Sequence, residues 1–213
     1  MAWLAGTWPP DWSGGSSPRD PWQALRLVQS HWPGGTTQHS ASTWYQRGVR
    51  ADDGSYLLLW DGVGSARGSV ALTVRQSALE DMGRAGRDAA VLALLGDGLR
   101  PSRVDIAADA RGSVPRPDTY FARLRAGHAS TRTRPASWVL TVNGHGLGTL
   151  TIGSRSSPRY GRIYDKPDEL GWRVRHELEC KADLAVAIGK RLLAGETAAR
   201  IWSDEYGRLV QWL

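Results

Sequence analysis

The sequence predicts an α+β protein with a largely antiparallel sheet and helices packed on one face of that sheet. Short runs of alternating apolar and polar residues recur along the 213-residue chain, which is the pattern of strands that bury one face. Between these runs lie a few segments whose apolar residues follow helical spacing. Strands that succeed one another across short turns, with few helices between them, favour antiparallel pairing.

The first 41 residues predict an arm followed by a helix. Residues 1–20 are rich in proline, glycine, serine and tryptophan, a composition that indicates irregular structure. The helix is expected to begin at Pro21, because proline suits the first helical position. It is expected to end near His31, just before the Pro-Gly-Gly sequence at 33–35.

The centre of the chain predicts a strand meander and then a long helix. The expected strands, joined by glycine-containing turns, lie at 42–50, 55–60 and 68–74. The expected helix covers 76–96, and Gly83 and Gly86 weaken its middle because glycine is a poor helix former. This order of elements agrees with an antiparallel sheet that carries helices on one side.

The rest of the chain alternates between strands and helices. The expected strands lie at 103–110, 138–142, 148–153, 160–166 and 172–180. The expected helices lie at 117–126 and 182–193, with a last helical arm over 196–213. We therefore divide the chain into an arm and helix over 1–41, a main domain over 42–195 and a C-terminal arm over 196–213.

Composition favours a nucleic-acid partner and a reducing compartment. The formal net charge is +6 and the isoelectric point is about 9.9, which favours polyanions over neutral partners and over membranes. Most of the basic residues are arginines, whose guanidinium groups bind phosphate oxygens in pairs. Cys180 is the single cysteine, which excludes an intrachain disulfide and a cysteine-based metal site. With no membrane-length apolar run and no signal peptide, the chain is expected in the cytoplasm.

Four predicted strands carry polar residues on one face and apolar residues on the other. Alternate side chains of a strand point the same way, so Arg162, Tyr164 and Lys166 share a face. The polar residues of the other strands are Arg103, Asp105 and Asp109; Thr149, Thr151 and Arg155; and Arg175, Glu177, Glu179 and Lys181. Arginines bind phosphate and carboxylates bind hard cations, although a solvated outer face is the plainer explanation.

Phosphodiester transfer to a protein hydroxyl needs a nucleophile, a divalent metal and cations that stabilise the transition state. Tyr164 suits the first role, and the charges of Arg162 and Lys166 are expected to lower its pKa. The metal candidates are Asp105, Glu177, Asp109 and Glu179. Asp105 and Glu177 rank first because they sit mid-strand. A tyrosine that merely packs within its strand is the alternative for Tyr164.

The motifs also carry a family resemblance. They read Arg-Val-Asp-Ile-Ala-Ala-Asp at 103–109, Ile-Gly-Ser-Arg-Ser-Ser at 152–157, Arg-Ile-Tyr-Asp-Lys at 162–166 and Trp-Arg-Val-Arg-His-Glu-Leu-Glu at 172–179. In order and approximate spacing they resemble the replication initiation factor family, which comprises rolling-circle initiators of plasmids and phages and related relaxases. The resemblance is strongest over 100–195 and extends back to about residue 42.

This resemblance implies a metal-dependent DNA nickase with a TBP-like sheet and Mg²⁺ or Mn²⁺ as cofactor. A tyrosine would cut one origin strand, stay linked to the 5′ phosphate and leave a 3′ hydroxyl. Tyr164 matches the family's tyrosine, and Tyr160 is the reserve nucleophile. The implied partners are single-stranded or cruciform origin DNA and a host helicase, and a homodimer is left open. The candidate DNA contacts are Arg103, Arg155, Ser154, Arg159, Arg175 and Lys181.

Two other functions stay open from the sequence. Many members of the family have a tyrosine where this chain has Thr151, so a DNA-binding remnant without nicking activity is one alternative. The other is an RNA-binding module whose exposed tryptophans stack on bases, for which the chain has 11 candidates. We nevertheless expect core packing for five of them: Trp32, Trp44, Trp60, Trp138 and Trp172.

Overall fold

The computed structural model describes residues 3–10, 20–133, 138–143, 148–168 and 171–212. The chain forms two compact units, one of Met1–Val104 with Ala185–Gly195 and the other of Asp105–Leu184 with Glu196–Leu213. The predicted limits of the main domain at residues 42 and 195 stay a prediction, because compactness does not show which segment folds by itself.

The first unit is a sheet with helices. Its strands are β1 (Trp3–Trp8), β2 (Thr36–His39), β3 (Tyr45–Ala51), β4 (Tyr56–Gly62), β5 (Val70–Val74) and the start of β6 (Arg100–Arg111), in the order β2-β3-β4-β5-β1-β6. Its helices are α1 (Pro21–His31), α2 (Gln76–Asp81), α3 (Gly83–Gly96) and most of α5 (Asp183–Leu193). The largest fully buried side chains of this unit come from alternate strand positions and from helices α2 and α3: Leu4, Trp8, Tyr56, Leu58, Leu72, Leu79 and Leu94.

The helices of this unit follow from local sequence. Asp20 caps α1 by accepting a hydrogen bond from the backbone N–H of Trp22 at 3.1 Å, so the predicted start at Pro21 is confirmed. The helix predicted over 76–96 is divided into α2 and α3. The division follows from Gly83, whose φ of 65° lies in the left-handed region and interrupts a helix.

Strand β1 is the largest departure from the predicted elements. Residues 1–20 were expected to be irregular, yet Trp3–Trp8 is a strand with alternating burial that pairs with β5 from Leu4↔Val74 to Trp8↔Val70. Trp8 is 1% exposed, and burying an indole of this size is strongly favourable. Trp8, one of the tryptophans from which an irregular arm was predicted, therefore belongs to the core.

Replacing Gly6 of β1 by alanine is expected to destabilise the protein by about 1–3 kcal/mol. An added Cβ would lie 2.6 Å from the backbone oxygen of Arg100, and a backbone atom cannot move aside as a side chain can. The matched control is Gly96→Ala in α3, where a Cβ meets nothing within 4 Å and alanine is the better helix former, so stability should not fall. Thermal unfolding measures both, and equal melting temperatures would contradict the placement of β1.

The second unit is built on the rest of β6. Its other elements are α4 (Pro117–Arg125), β7 (Ala129–Thr131), β8 (Trp138–Val142), β9 (Gly148–Ile152), β10 (Arg159–Asp168), β11 (Gly171–Lys181), α6 (Ala198–Leu209) and β12 (Val210–Trp212). The main strand order is β6-β11-β10-β9-β8, and β7 pairs with β12 separately. The C-terminal arm predicted as helical is therefore a helix followed by a strand, because Val210–Trp212 pairs with Ala129–Thr131.

The predicted fold class is confirmed. Every strand pairing whose register is described is antiparallel. In the second unit, α4 packs on β8, β9 and β10, and α6 packs on β10 and β11. Of the helices in the described part of the chain, none is long and apolar enough to cross a membrane.

His176 lies in an aromatic cluster beneath β11. Its Nδ1 is 3.0 Å from the hydroxyl of Tyr206, and the ring of Tyr120 meets it edge-on at 5.0 Å. The residue is 8% exposed, and this burial lowers the pKa of His176 to about 4, against the opposing charge of Asp109. The imidazole is thus neutral in the folded protein at neutral pH.

This histidine should make stability depend on pH. The folded pKa lies below the unfolded value of 6.5, so the unfolded chain binds the proton first as the pH falls. The free energy of unfolding is therefore unaffected by this group above pH 6.5. It falls as the pH decreases from 6.5 towards about 4, by up to ~3 kcal/mol. We expect the melting temperature of wild type to fall more steeply over this range than that of His176→Gln, which keeps a hydrogen-bonding group but does not titrate. Parallel curves would contradict the burial.

Candidate active site

The register of β10 and β11 determines which side chains meet on the polar face. Arg162 pairs with Glu177, and Tyr164 pairs with Arg175. Residues opposite each other in an antiparallel pair point to the same side of the sheet. The polar face predicted for each strand by alternation is therefore one continuous face over both strands.

Three acidic side chains converge on this face, and we call Asp105, Glu177 and Glu179 the carboxylate cluster. Each is at most 6% exposed. The guanidinium nitrogen Nη2 of Arg162 donates a hydrogen bond to Oε1 of Glu177 and lies 3.4 Å from Asp105 Oδ2 and 3.7 Å from Glu179 Oε2. Lys181 adds a second cation, with Nζ 2.5 Å from Glu179 Oε1. Buried carboxylates need such partners to remain ionised.

Tyr164 is hydrogen-bonded to one member of this cluster, Glu177. Its hydroxyl donates a hydrogen bond to Oε2 of Glu177 at 2.7 Å, so the two oxygens of that carboxylate serve Tyr164 and Arg162 separately. Burial raises the pKa of Tyr164, and the charge of Glu177 and the hydrogen bond to it raise that pKa further, against the lowering effect of Arg175. The expected lowering by Arg162 and Lys166 is therefore wrong in sign, because the anion is the nearer group and the site is partly desolvated.

Tyr160, the reserve nucleophile, is placed differently. It pairs with Glu179 and so lies on the same face, but it is 5% exposed. The guanidinium of Arg155 lies 6.0 Å from the centroid of its ring. Tyr164 is half-buried and has a carboxylate that can accept its proton, which makes it the better placed of the two hydroxyls.

Asp109, the fourth metal candidate, has other partners. Four residues from Asp105 along β6, it lies roughly 13 Å away at ordinary strand rise. Arg175 binds it through two hydrogen bonds of 2.6 and 2.8 Å, and Arg173 adds one of 2.9 Å. Burial raises the pKa of Asp109, but the hydrogen bond and charge of Arg175 and the charges of Arg173 and Lys166 outweigh it, so the net pKa is lowered. The structure thus brings three of the four predicted carboxylates together and pairs Asp109 with arginines.

The donor set of the carboxylate cluster suits a hard divalent cation, since Mg²⁺ and Mn²⁺ prefer carboxylate oxygens. Among the residues that the structure describes, no three His, Cys, Asp or Glu side chains are arranged to hold a metal ion as they stand. In the carboxylate cluster, the position nearest all three acids is taken by Nη2 of Arg162. The chemistry of the ligands therefore fits a metal, provided that Arg162 moves.

Three of the predicted DNA contacts, Arg155, Ser154 and Lys181, lie at the edge of this face. Arg155 and Ser154 are exposed in the loop between β9 and β10. Lys181 donates a hydrogen bond to the backbone oxygen of Arg155 and is 28% exposed at its side chain. Arg103 belongs to the first unit, where its guanidinium lies 5.1 Å from the ring centroid of Trp3 and its side chain is half-buried.

Two of the predicted DNA contacts are poorly placed for that role. Arg159 points away from the polar face and binds buried Glu205 of α6 through contacts of 2.9 and 2.5 Å. Arg175 is 4% exposed and holds Asp109. Both guanidinium groups are committed to carboxylates inside the second unit, so their placement does not favour direct contact with DNA.

Asp165 is a structural residue that the sequence prediction missed. Its carboxylate accepts a hydrogen bond from the backbone N–H of Gly148 at 2.8 Å and one from Arg116 Nη2 at 3.0 Å. These contacts tie β10, which carries Tyr164, to the start of β9 and to the residue that precedes α4. Its position between Tyr164 and Lys166 was visible in the sequence, but its partners come from distant segments.

The tryptophans are divided between core and surface. Trp32 is 7% exposed, which confirms its predicted burial, whereas Trp44 is 57% exposed and its predicted burial is wrong. Trp60 and Trp138 are half-buried, and the side chain of Trp172 lies outside the described residues. Trp22 is also exposed, at 56%, and its ring centroid lies 5.9 Å from that of Trp60.

Comparison with solved structures identifies the fold. The structure of a rolling circle replication initiator protein from Geobacillus stearothermophilus matches with a TM-score of 0.78, 15% identity, and coverage of 99% of this chain and 84% of that one. DynU16 of the dynemicin biosynthetic locus covers 98% of this chain and 100% of its own, at 15% identity and a TM-score of 0.25. The di-domain ARO/CYC StfQ of the steffimycin pathway covers 96% and 91%, at 10% identity and a TM-score of 0.23.

Only the first of these three matches is close enough to support an argument. No family model and no curated protein matches the chain. At 15% identity the match to the initiator establishes a shared fold and not a shared activity. The chain therefore has the fold of a rolling-circle replication initiator.

Proposed function

We propose that this protein is a rolling-circle replication initiator, a metal-dependent enzyme that nicks one DNA strand at a plasmid or phage origin and later transfers it. The observation that carries the proposal is the hydrogen bond from Tyr164 to Glu177 at 2.7 Å, inside a cluster of three buried carboxylates. That site lies on a fold shared with a rolling circle replication initiator protein.

Tyr164 is the proposed nucleophile. Its Oη would attack the scissile phosphorus, forming one P–O bond, while the bond from phosphorus to the 3′ oxygen breaks. The product is a 5′-phosphotyrosine link and a 3′ hydroxyl, which receives a proton in place of the one lost by the phenol. Glu177 Oε2 already accepts the hydrogen bond from that phenol, so it is the proposed acceptor of the proton. A raised pKa makes such an acceptor necessary, because very little phenolate exists at neutral pH.

Asp105, Glu177 and Glu179 are the proposed ligands of Mg²⁺ or Mn²⁺. All three are carboxylates, they are buried, and they converge on one atom of Arg162. A bound divalent ion would polarise the scissile phosphate and stabilise the charge that develops on it. Asp109 is not among the proposed metal ligands. Its proposed role is to hold the guanidinium of Arg175 in place through two hydrogen bonds.

Origin DNA is the proposed substrate. The net charge of +6 and the exposed Arg155 and Ser154 support binding of a phosphate backbone near the site. A neutral contact from Ser154 and a charged one from Arg155 would position the strand without reading its sequence. A host helicase and a homodimer remain predictions.

The proposal is tested with supercoiled plasmid that carries the gene for this protein and its flanking DNA, against empty vector. With Mg²⁺ or Mn²⁺ we expect nicked circles and a protein-linked 5′ end, and with EDTA neither. Nicking without a protein adduct would contradict the proposed chemistry. Salt-sensitive DNA binding without cleavage under any metal would instead support the DNA-binding remnant.

An RNA-binding module is the second candidate, favoured by the exposure of Trp22 and Trp44 at 56% and 57%. Exposed indoles can stack on unpaired bases of either nucleic acid, with about 1–3 kcal/mol per base. Competition between a structured RNA and single-stranded origin DNA separates the two functions. Tighter binding of the RNA would favour this second candidate, and tighter binding of the origin strand would favour the initiator.

A further inference from the structure

The position of Arg162 bears on how a metal could enter the site. One nitrogen of its guanidinium, Nη2, contacts Asp105, Glu177 and Glu179 at the same time. A divalent ion held by these carboxylates would need their oxygens at about 2.0–2.6 Å, which is closer than an arginine nitrogen approaches. It would also be repelled by a positive group within a few ångströms in a partly desolvated site. The two cations are therefore competitors for one position.

The charges favour exchange of one cation for the other. Nη2 of Arg162 brings one positive charge to the three carboxylates. A divalent ion in the same place would bring two, so the attraction of the carboxylates for the ion is greater than for the guanidinium. Lys181 need not move, because it approaches Glu179 through Oε1, whereas Arg162 faces Oε2.

The surroundings of Arg162 also permit its departure. Its side chain is 27% exposed, so it has a path to solvent, while the three acids are almost fully buried. Its Nε is buried and has no hydrogen-bond partner among the described residues, so the guanidinium is held through one end only. Across the strand pair, its Cα partner on β9 is Thr151, a small side chain beside which an arginine can turn.

We propose that Arg162 is the resident cation of the carboxylate cluster, displaced by the divalent metal and thereby released towards the phosphate of bound DNA. This inference rests on the proposed nicking function. Arg162 would keep three like charges together in the resting protein and limit the affinity for metal until DNA arrives. A phosphate that draws Arg162 away would raise the affinity for metal, so binding of DNA and of metal should be mutually cooperative.

The first test is Mn²⁺ binding without DNA, measured from the electron paramagnetic resonance of free Mn²⁺ in wild type, Arg162→Gln and Arg162→Lys. We expect Arg162→Gln to bind Mn²⁺ at least about 10-fold more tightly than wild type, because the competing charge is gone. Arg162→Lys keeps a cation and should stay within about 3-fold of wild type. Equal or weaker binding by a folded Arg162→Gln protein, judged by circular dichroism, would overturn the proposal.

A second measurement is made on wild type by NMR, and a variant is needed only to assign the signal of Arg162. In wild type, the ¹⁵N side-chain signal of Arg162 reports restricted rotation of a hydrogen-bonded guanidinium, and saturating Mg²⁺ should remove that restriction. An unchanged signal while Mg²⁺ binds would overturn the exchange. Nicking assays on the same proteins distinguish failure of the exchange from failure of the proposed function. If wild type nicks DNA but wild type and Arg162→Gln bind Mn²⁺ equally, only the exchange is rejected. Absence of both nicking and Mn²⁺ binding rejects the exchange and the proposed function together.

Discussion

Replacing Tyr164 by phenylalanine is expected to abolish the covalent protein–DNA adduct and to lower nicking by roughly 10³-fold or more. Phenylalanine keeps the ring and its packing but lacks the oxygen that attacks phosphorus. The lost hydrogen bond to Glu177 is part-buried, so we expect a change of only about 1 kcal/mol in stability. DNA binding, measured by fluorescence anisotropy with an origin oligonucleotide, should stay within about 3-fold because no phosphate contact is removed.

Tyr160→Phe is the matched control for this prediction. It removes the same atom from the same strand face, four residues away on β10. The control should form the adduct at a rate close to that of wild type. An adduct that persists in Tyr164→Phe and disappears in Tyr160→Phe would assign the chemistry to the reserve nucleophile.

Glu177→Gln is expected to have the second largest effect, lowering nicking by roughly 10²- to 10³-fold. Glutamine has nearly the same shape, but it is neutral and cannot take the phenolic proton. The same change removes one proposed ligand, so the affinity for Mn²⁺ should also fall by about 10-fold or more. Single-turnover cleavage and Mn²⁺ titration measure the two consequences separately.

Asp109→Asn is the control for charge removal on the same sheet face. Asp109 binds Arg175 and Arg173 instead of the carboxylate cluster, so its loss should leave Mn²⁺ affinity within about 3-fold of wild type. A loss of Mn²⁺ affinity as large as that of Glu177→Gln would place Asp109 among the ligands. Unchanged affinity in both variants would contradict the proposed metal site.

The strands of the candidate site could be predicted because their information is local. Alternation along 160–166 and 172–180 already separates polar from apolar faces, and β10 and β11 follow it. The residues that would meet across strands could not be read in this way. Register depends on the β10–β11 pairing, and it is this pairing that places Arg162 opposite Glu177.

The pKa of Tyr164 shows why neighbours in sequence were a poor guide to electrostatics. Arg162 and Lys166 share its strand face, but the carboxylate of Glu177 on β11 is the group that it contacts. Burial then adds to the effect of that anion. The same reasoning explains Asp109. It was grouped with Asp105 as a metal candidate because both lie on one face of β6, but Arg173 and Arg175 of β11 bind it instead.

Strand β1 was missed because its sequence carries conflicting signals. The glycine, prolines and tryptophans of the first 20 residues are typical of irregular structure, and nothing local indicates the partner that Trp3–Trp8 finds in β5. Such pairings are decided by distant segments that bury a shared face. The exposure of Trp44 has the same origin, since burial of a strand-end tryptophan depends on what packs over it.

The most direct test of the central claim is to locate the DNA-linked residue. The covalent adduct is digested with nuclease and protease, and the modified peptide is sequenced by tandem mass spectrometry. We predict that the remaining nucleotide is attached to Tyr164 within the sequence Arg-Ile-Tyr-Asp-Lys at 162–166. Attachment at Tyr160, or at any other residue, would contradict the account.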